Sequence, residues 1–357
     1  MPPASVFLEF QTRSREGMAT FRRNSFPSLL IGVAIILLAA ATAFSGQIPS
    51  PSLPLSKVAD VPLSGGATRW DYASLDPATH TLFMAHMGDG VVTAFDTRRQ
   101  RVLADIPGMD DVHGVLAIPG LGRVYASATD TDEVVAIDTQ TLKITARMPA
   151  GDYPDGMAYA PGAHKLYVSD EHGGTDTVID VRSNRRIATV PLGGEVGNTQ
   201  YDSVSGHIFA NVQTRGQLVE IDPATDKIIA RISLPGAEGN HGLYINAPAR
   251  LAFIACEDND RLLVLDLQTQ RVTSSFALGR SPDVLAFDPA LGWLYVASEA
   301  GEVSLFEVKS RTVRELGRAS LGANAHVVAV DPATHRAYFP LKDVRGHPAL
   351  RIMQPRS

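Results

Sequence analysis

The sequence predicts an all-β protein, a seven-bladed β-propeller with four strands in each blade. An aromatic residue recurs seven times with successive spacings of 42, 42, 42, 44, 42 and 43 residues, at Phe83, Tyr125, Tyr167, Phe209, Phe253, Tyr295 and Tyr338. A fixed period in this range is typical of propellers and solenoids. Each unit also holds four short apolar segments between turn residues, and helical periodicity is nearly absent from the repeats.

The third unit, residues 152–190, shows the pattern most clearly. Strands are predicted over residues 156–160, 165–169, 177–181 and 186–190, with Pro-Gly, Gly-Gly and Ser-Asn pairs in the turns between them. Every third strand from unit one to unit six ends on an acid, as at Asp180. Asp is favoured at the first position of a type I turn, so we interpret these acids as turn residues and not as metal ligands.

The first strand of the domain is predicted to belong to the last blade. Residues 57–63, KVADVPL, resemble the fourth strands at 101–107 and 186–192. The last unit offers only three strands, at 327–330, 337–339 and 349–353. We therefore expect 57–63 to complete this blade and close the ring, which removes a sheet edge. The propeller domain would then span 57–353.

The N-terminal region has the features of a secretory signal peptide. Arginines precede the apolar run at 29–43, which ends on Ala41-Thr42-Ala43. We predict a signal peptide over 1–43, with Met18 as a possible true start, and a linker over 44–56. A retained anchor is the alternative, although 15 apolar residues are short for a span of about 20. Cleavage predicts a periplasmic or secreted protein without a transmembrane segment, and the general and twin-arginine routes both stay open.

Composition excludes several kinds of function. The single cysteine, Cys256, allows no intrachain disulfide and no Cys-x-x-Cys-His haem attachment. The net charge of −6 argues against nucleic-acid binding, which depends on Lys and Arg contacts to phosphates. No Gly-x-Ser-x-Gly elbow or Gly-rich phosphate loop is present. No motif requires a cofactor, and no catalytic residue or metal ligand is assigned.

A candidate ligand site emerges from positions twelve residues before each aromatic marker. First strands line the channel of a propeller, so one residue per blade at the same height forms a ring. Its members are Asp71, His113, Asp155, Gly197 (with Asn198 as its polar substitute), His241, Asp283 and His326. Trp70 and Tyr153 are the expected contact residues beside them. With three Asp and three His, the ring carries about −2 to −3 charges at neutral pH.

That charge has three possible partners. Each His could pair with an adjacent Asp in a water-filled channel, a metal could bind, or a small molecule or peptide could bind. Loops expected on the same face are mostly acidic: Arg69, Asp110, Glu195, Glu238, Asn240, Asn324, His86, Glu171, His172, Glu257, Asp258, Asp260, Glu299, Lys342 and His347.

The repeat resembles the YVTN-repeat, YncE-like β-propeller family. The resemblance rests on LYVSD at 166–170, LYVA at 294–297, Pro-Asp-Gly at 154–156, Pro-Asp-Val at 282–284 and Ile-Asp-Thr at 137–139. It covers about residues 57–353 and implies an exported seven-bladed propeller.

Two functions are compatible with the sequence. The first is a binding or scaffold protein that holds a protein, a peptide or a small ligand at the top face and channel mouth. The alternative is a lactonase-like hydrolase or a metal-dependent enzyme that uses the His and Asp residues of the channel. No catalytic motif favours the enzyme.

Overall fold

The computed structural model describes residues 52–356, which fold into seven four-stranded antiparallel sheets. The predicted signal peptide and most of the predicted linker lie outside the described residues. The sheets are arranged as blades in a ring, so the predicted seven-bladed β-propeller is confirmed. None of the described residues forms a helix long and apolar enough to cross a membrane.

Six blades each use four consecutive strands. Blade 1 is β2 (Ala73–Asp76), β3 (Thr81–His86), β4 (Val91–Asp96) and β5 (Arg101–Pro107); blade 2 is β6 (Val112–Ile118), β7 (Arg123–Ala128), β8 (Glu133–Asp138) and β9 (Ile144–Pro149). Blade 3 is β10 (Pro154–Ala160), β11 (Lys165–Asp170), β12 (Thr175–Asp180) and β13 (Arg185–Pro191); blade 4 is β14 (Val196–Asp202), β15 (His207–Val212), β16 (Gln217–Asp222) and β17 (Lys227–Ser233). Blade 5 is β18 (Asn240–Asn246), β19 (Leu251–Cys256), β20 (Arg261–Asp266) and β21 (Arg271–Ala277); blade 6 is β22 (Pro282–Asp288), β23 (Trp293–Ser298), β24 (Glu302–Lys309) and β25 (Thr312–Ser320).

The seventh blade combines the two ends of the described chain. It contains β26 (Ala329–Asp331), β27 (Arg336–Val344) and β28 (His347–Pro355), and its outer strand is β1 (Leu55–Pro62). β1 pairs antiparallel with β28, for example Val61 with Leu350. Arg351 makes a two-pronged ion pair with Asp60 on β1, at 2.7 and 2.8 Å. The strand begins at Leu55, two residues before the predicted start, because Leu53 and Leu55 are buried in the core.

Short connections keep each blade compact. Among the described residues, four single-turn 3₁₀ helices connect strands, at Met87–Asp89, Pro119–Leu121, Thr129–Thr131 and Gln213–Arg215. The acids that end the third strands accept hydrogen bonds from backbone N–H groups two or three residues later. Asp138, for example, accepts them from Gln140 and Thr141. They are turn residues, as predicted. Glu307 differs, because its carboxylate pairs with Lys309 and Arg314.

The hydrophobic core lies between neighbouring blades. All seven marker aromatics are buried, and each lies in an apolar cluster that spans two adjacent sheets. Tyr167 of blade 3, for example, packs with Val196 and Ile208 of blade 4. This packing directs the first strands of all seven blades toward one central channel, where each strand contacts the first strands of its neighbours.

Candidate functional site

Five of the seven ring residues sit at irregularities in the first strands, and Asp71 and His326 lie just before β2 and β26. The pairing of the first strand with the second strand changes register at the ring residue in β6, β10, β14, β18 and β22. In β10, for example, the shift lies between Pro154 and Met157, on either side of Asp155. A register shift of this kind redirects a side chain that regular pleating would place elsewhere. The irregularity therefore turns His113, Asp155, His241 and Asp283 toward the channel, where they line one cavity.

One end of the channel contains a polar cavity of about 300 Å³. Five of the predicted ring residues line it: Asp71, His113, Asp155, His241 and Asp283. The predicted contact residue Tyr153 lines it too. The loops between second and third strands add Glu171, Glu257 and Glu299, and the loop before β2 adds Arg69. The cavity thus gathers six carboxyl groups and one guanidinium group.

His241 is central to the acidic half of this cavity. Its Nε2 lies 3.6 Å from Asp155 Oδ2 and 3.6 Å from Asp283 Oδ1. The contact with Asp155 spans two blades, and the intervening position is Gly197. A Cβ on Gly197 would lie 2.7 Å from the His241 Cα. Only glycine therefore allows β14 and β18 to approach each other this closely.

The other half of the cavity is neutralised by Arg69. Its guanidinium lies 3.2 Å from Asp71 and 2.8 Å from Glu299. His326 lies behind this pair, completely buried, with Nδ1 against the side-chain amide of Asn324 and Nε2 3.7 Å from Asp283 Oδ2. Burial lowers the pKa of His326, so it is neutral at pH 7.

Both ring nitrogens of His113 are already used in hydrogen bonds. Nδ1 lies 2.8 Å from the Asp111 carbonyl oxygen and 2.9 Å from Thr129 Oγ1. Nε2 lies 3.1 Å from Tyr153 Oη, whose ring packs against His172. His113 therefore orients Tyr153 at the cavity wall, and it differs from His241, whose Nδ1 has no hydrogen-bond partner among the described residues.

The acidic surroundings change the protonation of the buried groups. Burial raises the pKa of Asp155 to about 6, and it also raises the pKa values of Asp283 and Glu257. Burial opposes a charge on His241, but Glu257, Asp283 and Asp155 together raise its pKa to about 10. At neutral pH His241 is therefore an imidazolium ion, and protons offset part of the negative charge.

One carboxyl oxygen of a residue that lines this cavity has no hydrogen bond. Asp155 is 2 % exposed, and its Oδ1 has no partner among the described residues. A buried polar atom usually has a partner, because losing its hydration without compensation costs about 1–3 kcal/mol. Asp155 therefore has an unpaired acceptor in the wall of the cavity.

Tyr72 separates this cavity from a second one at the other end of the channel. Its hydroxyl accepts a hydrogen bond from Asn198 Nδ2 at 2.6 Å and lies 3.2 Å from His241 Nε2. The second cavity, of about 280 Å³, is lined mostly by apolar residues of the first strands. Asn198, predicted as the polar substitute for Gly197, lines this second cavity and holds the Tyr72 hydroxyl in place.

The structure does not bring every predicted residue to the cavity. Trp70 is 0 % exposed and stacks on His86, with ring centroids 3.8 Å apart, so it packs inside the blade. His326 is also enclosed and does not line the cavity. The sequence reasoning missed Tyr72 and Ser281, which do line it. Tyr72 directly follows Asp71, and Ser281 lies two residues before Asp283. This proximity to a ring aspartate is the only signal that the sequence offers for them.

Comparison with known proteins supports the fold and leaves the family open. No protein-family model matches the chain, and no curated protein sequence matches it. The structure is similar to a chain of the hydrazine synthase of Kuenenia stuttgartiensis, with a TM-score of 0.70 and 15 % sequence identity over 86 % of this chain and 97 % of that chain. At this identity the similarity shows a shared fold alone.

Proposed function

We propose that this protein is a binding protein whose site is the acidic channel cavity and whose ligand is positively charged. The unequal charge of the cavity carries the proposal. Six carboxyl groups line it, and they outnumber the positive groups: Arg69 is paired with Asp71 and Glu299, and the His241 imidazolium lies beside Asp155 and Asp283. The carboxyl groups around His241 have no Arg or Lys within salt-bridge distance among the described residues.

Electrostatics favours a cation over water alone in this cavity. Buried carboxylates are costly unless they are paired, and the raised pKa values of Asp155, Glu257 and Asp283 express that cost. A bound cation would neutralise these three carboxyl groups in place of the protons on them and on His241. The free oxygen of Asp155 would gain a partner at the same time.

The size of the cavity restricts the ligand to a small one. A volume of about 300 Å³ is at the lower end for ligand pockets and suits an ion, a small amine or one cationic side chain. Tyr72 closes the cavity at its inner end, so a ligand would enter from the loop face. A protein or peptide partner would reach the cavity through a single basic residue.

The wider context of this binding function is also part of the proposal. The signal-like residues 1–43 favour a protein that acts in the periplasm or outside the cell. The LYVSD and LYVA motifs favour membership of the YVTN-repeat family. Both assignments are independent of the cavity, and the binding site does not depend on either of them.

A thermal-shift experiment with defined cations tests the proposal. The probes are Mg²⁺, Ca²⁺, Mn²⁺, Zn²⁺, spermidine and arginine amide, each compared with NaCl at equal ionic strength. A ligand that binds only the folded state at 100 times its Kd stabilises the protein by about 2.7 kcal/mol, so at least one probe should raise the melting temperature by several degrees.

Two variants assign the effect to the cavity. Asp155→Asn keeps the shape but removes a buried charge, and we expect it to reduce the shift by more than half. Asp130→Asn removes an exposed carboxylate of the same type and should leave the shift unchanged. If no probe stabilises the protein beyond the NaCl control, or if both variants lose the shift equally, the proposed function is wrong.

A further inference from the structure

We propose that His241, Glu257 and Asp283 form a binding site for one divalent transition-metal ion, with Asp155 as an additional carboxylate ligand. This inference rests on the proposed cation-binding function and names the class of cation. One ligand atom from each of the three residues lies within 4.8 Å of the others. Imidazole nitrogen and carboxylate oxygen together suit ions such as Zn²⁺ and Mn²⁺.

The separations around His241 fit metal ligands better than hydrogen bonds. Nε2 lies 3.6 Å from oxygens of both Asp155 and Asp283. A hydrogen bond between such groups would be about 2.7–2.9 Å long. Two tetrahedral ligands about 2.1 Å from a zinc ion are about 3.4 Å apart. His241 is therefore separated from each of Asp155 and Asp283 as two ligands of one ion would be, and Glu257 has a ligand atom within 4.8 Å of those of His241 and Asp283.

A free oxygen at the site is an observation independent of the acidic cluster. Asp155 Oδ1 is buried, has no hydrogen-bond partner among the described residues and belongs to a side chain that lines the cavity. The other oxygen of the same carboxylate is the one beside His241. Asp155 can therefore turn a free acceptor toward an ion held by His241.

A second cluster with similar spacing is already satisfied. Asp71, Asp283 and His326 also have ligand atoms within 4.8 Å of one another. Arg69 pairs with Asp71 and Glu299, and a second positive charge there would be repelled. The cluster around His241 has no Arg or Lys within salt-bridge distance among the described residues, and an ion that binds His241 Nε2 would take the place of the imidazolium proton.

Tyr72, at the inner end of the cavity, can orient one of the proposed metal ligands. Because Asn198 donates to the Tyr72 oxygen, the Tyr72 hydroxyl hydrogen is free to point at the site. Asp283 Oδ1 lies 3.5 Å from it and can accept this hydrogen once His241 Nε2 binds the ion. Tyr72 would then fix the orientation of Asp283, as hydrogen bonds to metal-bound carboxylates commonly do.

Metal analysis of the full folded protein tests the site. Protein freed of metal with a chelator is dialysed against ZnCl₂, MnCl₂ or CaCl₂, and bound metal is measured by mass spectrometry. We expect one Zn²⁺ or Mn²⁺ per chain and weaker Ca²⁺ binding. Replacement by Co²⁺ should give a visible absorption spectrum that reports nitrogen and oxygen ligands.

Matched variants locate the ion. Glu257→Gln and His241→Gln should each weaken Zn²⁺ binding at least 10-fold, and the melting temperature without metal shows whether each is folded. Asp130→Asn removes an exposed carboxylate that does not line the cavity. We expect it to change the affinity less than 3-fold.

Each outcome separates this inference from the function on which it rests. If spermidine or arginine amide stabilises the protein and no metal binds at one per chain, the metal site is wrong and the cation-binding function stands. If Glu257→Gln and Asp130→Asn weaken Zn²⁺ binding equally, the ligand assignment is wrong. If no cation binds at all, both are overturned.

Discussion

At the scale of single residues, two aspartates of β12 should affect stability in opposite directions. Asp176 is completely buried, and burial raises its pKa well above the usual value. Asp180 lies at the end of the strand, where hydrogen bonds from Arg182 and Ser183 lower its pKa to about 2. The first group favours the folded state when it is protonated, and the second favours it when it is ionised.

The pH dependence of two matched variants follows from these signs. Above pH 4 the unfolded chain ionises Asp176 and the folded chain does not, so wild-type stability falls as pH rises. Asp176→Asn removes this loss, and one pKa unit corresponds to about 1.4 kcal/mol. We expect the variant to be at least about 1 kcal/mol more stable than wild type at pH 7, with no such gain at pH 3.5.

Asp180→Asn provides the control for this prediction. Its stabilising charge is present above pH 4 and disappears as pH falls through 2, so the variant should be less stable at pH 7. Urea unfolding at pH 3.5, 5 and 7 measures both effects. Equal pH profiles for the two variants would show that burial of Asp176 does not control its ionisation.

At the scale of secondary-structure elements, glycines after the ring residues set the distance between first strands. A Cβ on Gly242 would lie 2.0 Å from the Asp283 carbonyl oxygen in the next blade. Gly242→Ala must therefore push β22 away, and overpacking of this kind costs about 1–3 kcal/mol. We expect a lower melting temperature and a smaller cation-induced shift, because Asp283 moves with its backbone.

The equivalent glycine of blade 3 is a matched control. A Cβ on Gly156 would meet Asn198 Oδ1 at 3.4 Å, which is an ordinary contact. Gly156→Ala should leave stability within about 1 kcal/mol of wild type, because it also reduces the entropy of the unfolded chain. Differential scanning calorimetry of both variants measures the effect, and equal losses would contradict the close approach at Gly242.

The positions of the ring residues were predictable at this scale, and their contacts were not. The repeat period alone places Asp71, Asp155 and Asp283 at one height, since equivalent residues occupy equivalent positions in each blade. The contact of His241 with Asp155 depends on the gap left by Gly197, which no periodic pattern reveals. Trp70 is the opposite case, because it was predicted to contact a ligand and packs inside the blade. Where a strand is irregular, the alternation of its residues between two faces does not distinguish a channel-facing side chain from one packed in the blade.

At the scale of the whole molecule, the number of blades was predictable because the repeat fixes it. The acidic loops were expected on one face, but the convergence of Glu171, Glu257 and Glu299 depends on three separate loop conformations. Loop conformation is less restricted by sequence than strand pairing, so their meeting point could not be derived. The same holds for Tyr72, whose role as a partition depends on the width of the channel.

The outer strand of the seventh blade links the two ends of the described chain, and its loss should destabilise the whole ring. Removing residues 1–64 deletes β1, exposes the edge of β28 and leaves Arg351 without Asp60. Buried leucines at 53 and 55 contribute about 1.5–3 kcal/mol each, so the melting temperature should fall by roughly 10 °C or more. Removing only residues 1–50 retains β1 and should leave the melting temperature unchanged. Thermal unfolding with light scattering measures both truncations, because an uncovered β28 edge promotes association between chains. Equal melting temperatures for the two truncations would show that pairing of β1 with β28 does not stabilise the propeller.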